Sequence, residues 1–437
     1  RTLAVILLLA ALSVAAGLIA PSQPFAPGHL WVASPESLHL FEYEDGALIE
    51  PAKVTGLTSV HDLAFGPDGA LYATDEDLDQ VLVFDGAGGS LGSLGAGSSL
   101  DTPTDLAFGP AGGVYVASSG SDEVLVFARD GSLSHSLGAG SSLDDPRGLT
   151  FGLDGHLFVS SFGSDEILEF DASGALLGSF GAGSGVDGPW GLARSPRGGL
   201  LVASHETDRV IELAADGSVV ASLGAGTDLD GPTALAIGPD RKLYVASRGS
   251  DEVLVLDDDG TQLDSISSAS LSGPTGLAFS PFVMSLSLKG RVHASGSDSF
   301  KRSSAGWLSV FPGSGRAMVL LPEADDPLSS LFGSDVLVFD GFEFEEQSGR
   351  QHLAGQSMGS DGASALGLEL RGDDEDGSFR PGKAGGVLHH TGPTGVSELD
   401  LKASASKSLP GLPQTPGARR ALDVRAPLGA HASVGAP

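Results

Sequence analysis

Pro146-Arg147-Gly148-Leu149-Thr150-Phe151-Gly152 is followed by the turn Asp154-Gly155, then by Leu157-Phe158-Val159-Ser160-Ser161, Ile167-Leu168-Glu169-Phe170 and Ala175-Leu176-Leu177-Gly178-Ser179-Phe180. Four short apolar runs separated by Gly, Asp and Ser turns read as a four-stranded antiparallel meander, its strands here lettered a to d. The phrase returns along the chain: the place of Phe151 is taken by Phe65, Phe108, Arg194, Ile237 and Phe279, at a spacing of 43 residues and finally 42. A period of this length means that one repeat is one supersecondary unit, unable to bury its apolar face alone. Runs such as Val124-Leu125-Val126-Phe127 are apolar at successive positions, so both faces of each small sheet must be covered by neighbours. Four strands per repeat, stacked radially, predict an all-β fold, a β-propeller.

Strand a occurs six times, but only five copies are followed by a clear b, c and d, and the pattern dissolves after Phe279-Ser280-Pro281. The missing strands lie at the other end of the array. Leu30-Trp31-Val32-Ala33-Ser34, Leu38-His39-Leu40-Phe41 and Ala47-Leu48-Ile49 read as b, c and d with no a before them. Pairing the last strand a with this group closes the ring and removes exposed sheet edges. The expectation is a six-bladed propeller over residues 28–281 with one composite closing blade.

The repeat units Pro103 to Phe127 and Pro232 to Leu256, with Tyr115-Val116-Ala117 and Tyr244-Val245-Ala246 in strand b, resemble NHL-repeat propellers. That family carries a Pro-x-Gly start, an Asp-Gly turn, a Tyr-Val-Ala-Asp strand b and an Ile-x-Val-Phe strand c. The resemblance covers the five full repeats and the split one, and it implies the SMP-30/TolB-like six-bladed architecture. Two departures stand out. The family's Asp after strand b is kept at Asp75 but is Ser118, Ser161, Ser204 and Ser247 elsewhere, and its usual Arg before strand c becomes Glu123, Glu166 and Glu252. No Trp is followed by Asp, which argues against WD40 repeats.

Composition narrows the partners. Lys plus Arg number 24 against 56 Asp plus Glu, a net charge of -32 with the acids spread along the chain. Nucleic acid needs a basic stripe that releases counterions, so it is excluded as a partner, and so is an anionic membrane surface. There is no Cys and no Asn, which rules out thiol chemistry, disulfides, N-glycosylation and any site built on an Asn carboxamide. Residues 2–20 carry no charge, follow Arg1 and have an apolar centre from Val5 to Leu12. They read as a signal peptide or N-terminal anchor, which would place the protein outside the cytoplasm: secreted, periplasmic or cell-surface.

Beyond the ring, residues 282–402 lose the period but keep alternating stretches such as Met284-Ser285-Leu286-Ser287-Leu288, predicting a smaller β-rich, sandwich-like domain. Residues 403–437 turn to Ala, Pro, Gly and Ser and read as a disordered tail.

In such a ring, the start of strand a and the loop from b to c share one face around the central opening. The residue after the Pro or its equivalent is His61, Thr104, Arg147, Trp190, Thr233 and Thr275 in turn, and the second residue beyond strand b is Glu76, Ser119, Phe162, His205 and Arg248. Diversity there, on a background of near-identical repeats, marks His61, Asp75, Arg147, Trp190, His205 and Arg248 as candidate binding residues. Arg147 and Arg248 can fork a carboxylate, Trp190 offers a stacking face, and His61 or His205 can shuttle a proton near neutral pH. Drift of a free rim, or a Trp190 that only caps the channel, would look the same. Asp75, Asp77 and Asp79 alternate like the start of a calcium loop, but the Gly and distal Glu of an EF-hand are missing, so Ca is carried as a candidate without a firm assignment.

Two functional classes follow. The first is a binding or interaction scaffold for a protein or small extracellular ligand through the face of the b to c loops. The second is a propeller enzyme of lyase or lactonase type using His61 and His205. The metal site of SMP-30-like lactonases uses Glu and Asn, and this chain has no Asn.

Overall fold

The computed structural model describes residues 29–281, short gaps aside, and strands between 282 and 405. The expected leader over 1–20 and nearly all of the expected tail over 403–437 lie outside the described residues. Among the described residues, helix is limited to single 3-10 turns.

Five blades of consecutive strands are seen, each a four-stranded antiparallel sheet. Blade 1 comprises Val60–Phe65, Leu71–Asp75, Gln80–Phe84 and Ser90–Leu94. Blades 2 to 5 begin at Pro103–Phe108, Pro146–Phe151, Pro189–Arg194 and Pro232–Ile237 and end at Leu133–Leu137, Leu176–Phe180, Val219–Leu223 and Gln262–Ser267. A further sheet joins the two ends of the array: Gly276–Phe279 pairs antiparallel with Leu30–Ser34, which is followed by His39–Glu44 and Ala47–Ile49. The inner strands touch in turn from blade 1 to blade 5, then Gly276–Phe279, then blade 1 again, so the sheets form a ring.

Strands b and c are buried on both faces, as their continuous apolar runs require. Phe84, Phe127 and Phe170, each closing a strand c, are 1 % exposed. Burying one such side chain is worth about 1.5–3 kcal/mol. Strand d is the outer edge, with Leu177, Val219 and Val220 exposed.

Two local devices recur. Asp79, Asp122, Asp165, Asp208 and Asp251 sit at the turn before strand c with φ of 51, 54, 57, 54 and 58°. Aspartate tolerates this left-handed region better than most residues. Each extends Oδ1 to the next unit, accepting the backbone N–H of Thr102, Asp145, Gly188, Gly231 and Gly273 at 2.9, 2.9, 2.8, 2.8 and 2.7 Å. The second device is a bulge at the start of strand a. Pro146 pairs with Ser161 but Leu149 pairs with Val159, so Arg147 and Gly148 fall out of the alternation, and blades 1, 2, 4 and 5 show the same shift. A Cβ on Gly148 would lie 2.2 Å from the Trp190 carbonyl oxygen, which explains the Gly of the Pro-x-Gly phrase.

The described strands between 282 and 405 pair in one nine-stranded antiparallel sheet. Its strands include Phe282–His293, Ser299–Phe311, Arg380–Gly392 and Gly395–Ala405, the last running past the expected boundary at 402. Alternation says that the two faces of a strand differ; it does not say whether a second layer covers one of them.

Candidate functional site

The bulge turns the variable residue of each strand a toward the central opening, and four single side chains there knit the ring. The Thr104 hydroxyl donates to the Pro146 carbonyl at 2.8 Å, Thr233 to Pro274 at 2.7 Å and Thr275 to His61 at 2.5 Å, while His61 Nδ1 lies 2.9 Å from the Thr104 carbonyl. The threonines are therefore structural. Their hydroxyls tie neighbouring blades together and leave His61, Arg147 and Trp190 as the chemically distinct members of the ring.

Trp190 is the hub. It is 5 % exposed and its indole stacks on the His61 imidazole, centroids 5.6 Å apart and planes 6° apart. His205 leans on the same indole at 4.9 Å, and Phe162 meets it edge-on at 5.7 Å. The guanidinium of Arg147 lies 4.7 Å from the Trp190 ring and 5.3 Å from Phe162; that of Arg248 lies 5.9 Å from Trp190. These are cation–π distances. Phe162 and His205 reach the cluster from 3-10 turns in the b to c loops of blades 3 and 4, Phe162–Ser164 and His205–Thr207. The sequence thus brings five expected residues together, His61, Arg147, Trp190, His205 and Arg248, and adds Phe162.

Asp75 does not join them, which corrects the expectation for it. It is fully buried, its carboxylate accepting from the Thr58 and Ser59 backbone N–H groups and from the Thr58 hydroxyl. Ser118, Ser161, Ser204 and Ser247 do the same work, each hydroxyl accepting the N–H of Asp101, Asp144, Asp187 or Asp230 at 2.9 Å. The residue after strand b pins a loop in every blade, whether it is Asp or Ser. The calcium arrangement fails for the same reason: Asp75 is consumed, Asp77 is exposed, and Asp79 clamps Thr102.

His61 is also corrected as a proton shuttle. A carbonyl only accepts, so Nδ1 carries the hydrogen and Nε2 is bare. Burial first, then the Arg147 charge, holds the imidazole down to about 3, with Arg248 adding to the effect and the bond to Thr104 opposing it. At neutral pH it is a neutral acceptor.

Two groups that the sequence reading passed over stand below this cluster. Asp62 and Asp105 are hydrogen-bonded to each other, and burial with mutual repulsion pushes Asp62 well above the usual carboxylate range; burial raises Asp105 too. Both occupy the third position of the Pro-x-Gly phrase, where the other units have Gly148, Gly191, Ala234 and Gly276. That exchange was the available signal. They line a cavity of about 150 Å³ whose wall also includes Arg147 and Trp190. A second cavity of about 380 Å³, opening among His61, Glu76 and Arg248, shares the same two residues.

Among the described residues, one group places three metal-capable atoms within 4.8 Å of one another: Asp154, His156 and Glu169. His156 Nδ1 lies 2.7 Å from Glu169 and 3.3 Å from Asp154, and the bond to Glu169 raises its pKa. They sit at the opposite end of strand a from Arg147, away from the cluster.

No protein-family model and no curated protein matches the sequence. Solved structures do resemble the fold. A virginiamycin B lyase from Staphylococcus aureus is 16% identical with a TM-score of 0.47, over 59% of this chain and 87% of that one. A nidogen/laminin complex gives 20% identity and 0.48 over 58% and 98%, and a protein of unknown function from Bacteroides caccae gives 16% and 0.48 over 58% and 98%. These likenesses carry no information about ligand or reaction.

Proposed function

We propose that this chain is a binding module, an extracytoplasmic six-bladed propeller of NHL-like type that takes a carboxylate-bearing protein or small ligand at the opening around Trp190. The observation that carries the reading is Arg147. Its Nη2 is committed to Asp145 at 2.7 Å, but its Nε is buried with no hydrogen-bond partner. Arg147 also lines both cavities at the opening, where a guanidinium suits a ligand carboxylate. Arg248 brings a second guanidinium to the same indole, and the neutral Nε2 of His61 adds an acceptor. The six-blade reading is supported by the sheet that joins Gly276–Phe279 to Leu30–Ser34, and export by the uncharged stretch over 2–20.

The lyase or lactonase reading is the weaker one, because His61 cannot take up a proton near neutrality and His205 leans against Trp190. The test is a calorimetric titration of the chain with benzoate and butyrate. Binding should weaken at least about tenfold, or 1.4 kcal/mol, in Arg147→Ala and stay unchanged in the exposed control Leu177→Ala. Carboxylate binding indifferent to Arg147 would overturn the reading.

A further inference from the structure

The smaller cavity carries opposite charge at two places, the Asp62 and Asp105 pair and Arg147. Asp62 and Asp105 stand where Gly148, Gly191 and Gly276 serve the fold without a side chain, so the scaffold does not demand carboxyls there. Asp105 is nonetheless held firmly: Oδ1 accepts the Leu106 N–H at 2.5 Å and Oδ2 accepts the Leu149 N–H at 2.7 Å. Leu149, Leu192, Leu235 and Leu277 also contribute to the lining, although their side chains pack in the cores between blades. An acid pair and a guanidinium therefore line one small, largely polar space.

We infer that this cavity is a subsite for a small amphoteric ligand, an amino-carboxylate whose ammonium is taken by Asp62 and Asp105 and whose carboxylate is taken by Arg147. The inference rests on the carboxylate reading of Arg147 given above and names the class of ligand. Size supports it: a cavity of about 150 Å³ holds a molecule the size of benzene, so a short amino acid fits and a peptide does not. Net charge supports it as well. A plain anion approaches a chain of charge -32 against long-range repulsion, whereas a zwitterion carries no net charge and approaches unopposed.

Binding is expected to move a proton. Burial raises both carboxyls and the neighbouring Asp105 raises Asp62 further, so the empty pair favours holding a proton. An incoming ammonium takes the place of that proton, which leaves to solvent, so the acid pair turns from neutral-plus-anion to two anions facing one cation.

The experiment is calorimetry at pH 7.5 in two buffers of different ionisation enthalpy, with β-alanine, 4-aminobutyrate and 5-aminopentanoate set against their N-acetyl forms and butyrate. The expected result is that at least one amino-carboxylate binds about tenfold or more tightly than its N-acetyl form and butyrate. Its apparent enthalpy should differ between buffers by close to one released proton. Asp105→Asn and Asp62→Asn should remove the preference for the amine while leaving butyrate binding in place. If butyrate binds through Arg147 and the amino group adds nothing, or if no proton is released, this inference falls and the carboxylate reading stands. If no probe binds, both fall. The comparison of probes on the unaltered chain decides the matter even where a variant fails to fold.

Discussion

The imidazole of His61 and the indole of Trp190 lie face to face across the central opening, 5.6 Å apart with 6° between their planes, although one belongs to blade 1 and the other to blade 4. Blades 2 and 3 separate them on one side, and blade 5 and the composite sheet on the other. A contact that spans the ring closes it at its top in a way that neighbour-to-neighbour packing does not. A double-mutant cycle on His61→Ala and Trp190→Ala, followed by urea unfolding, should give a coupling of about 0.5–1.5 kcal/mol on top of the roughly 3–5 kcal/mol lost with the indole. Strict additivity would mean that the rings do not support each other.

The same histidine sets a pH dependence. Its folded pKa, about 3, lies below the unfolded value of 6.5, so the folded state resists the proton that the unfolded state accepts. Stability from keeping His61 neutral is complete above pH 6.5 and is lost as pH falls toward 3, at up to about 1.4 kcal/mol per pH unit. Thermal melts of the unaltered chain and His61→Gln should therefore differ most above pH 7 and converge on acidification. A constant difference across that range would contradict the buried, neutral imidazole.

The five aspartate clamps make a separate prediction. Asp208 holds φ at 54° and accepts the Gly231 N–H at 2.8 Å from the next blade. Asp208→Ala loses the bond and strains the turn, and should cost about 1–3 kcal/mol in denaturant unfolding. Asp208→Asn keeps an acceptor and tolerates the left-handed region, so it should recover most of that loss. Equal losses in the two variants would assign the effect to charge alone.

How much of this was legible depends on what repetition can encode. The ring was legible because a 43-residue period leaves few ways to cover apolar runs such as Val124 to Phe127 on both faces. The cluster around Trp190 was legible because each of its members varies where the repeats otherwise agree. Asp75 misled for the converse reason: a charged residue at a variable position looks like a ligand group, yet Ser118 pins the same loop with a hydroxyl. Asp62 and Asp105 were missed because their position read as the scaffold glycine of Pro-x-Gly, and only the bulge shows that it faces the channel. For residues 282–405, alternation specified strands but not whether one sheet or two would form.

That overlooked pair yields the sharpest stability test. The folded pKa of Asp62 is raised above its unfolded value of 3.8, so the folded state holds its proton longer than the unfolded state does. The sign is opposite to that of a salt-bridged carboxylate: the favourable contribution is complete below pH 3.8 and is lost as pH rises toward the folded pKa. At neutral pH the pair is therefore a burden on the fold, the kind of local destabilisation that persists where a site needs its groups held against their preference. Asp62→Asn removes the proton-dependent part while keeping a carbonyl oxygen and gaining a donor for Asp105. The variant should melt higher than the unaltered chain at pH 7.5, by a margin that shrinks as the pH is lowered to 4. A loss of stability at pH 7.5 would mean that the carboxylate supports the ring, and the two aspartates would then have to be read as part of its framework.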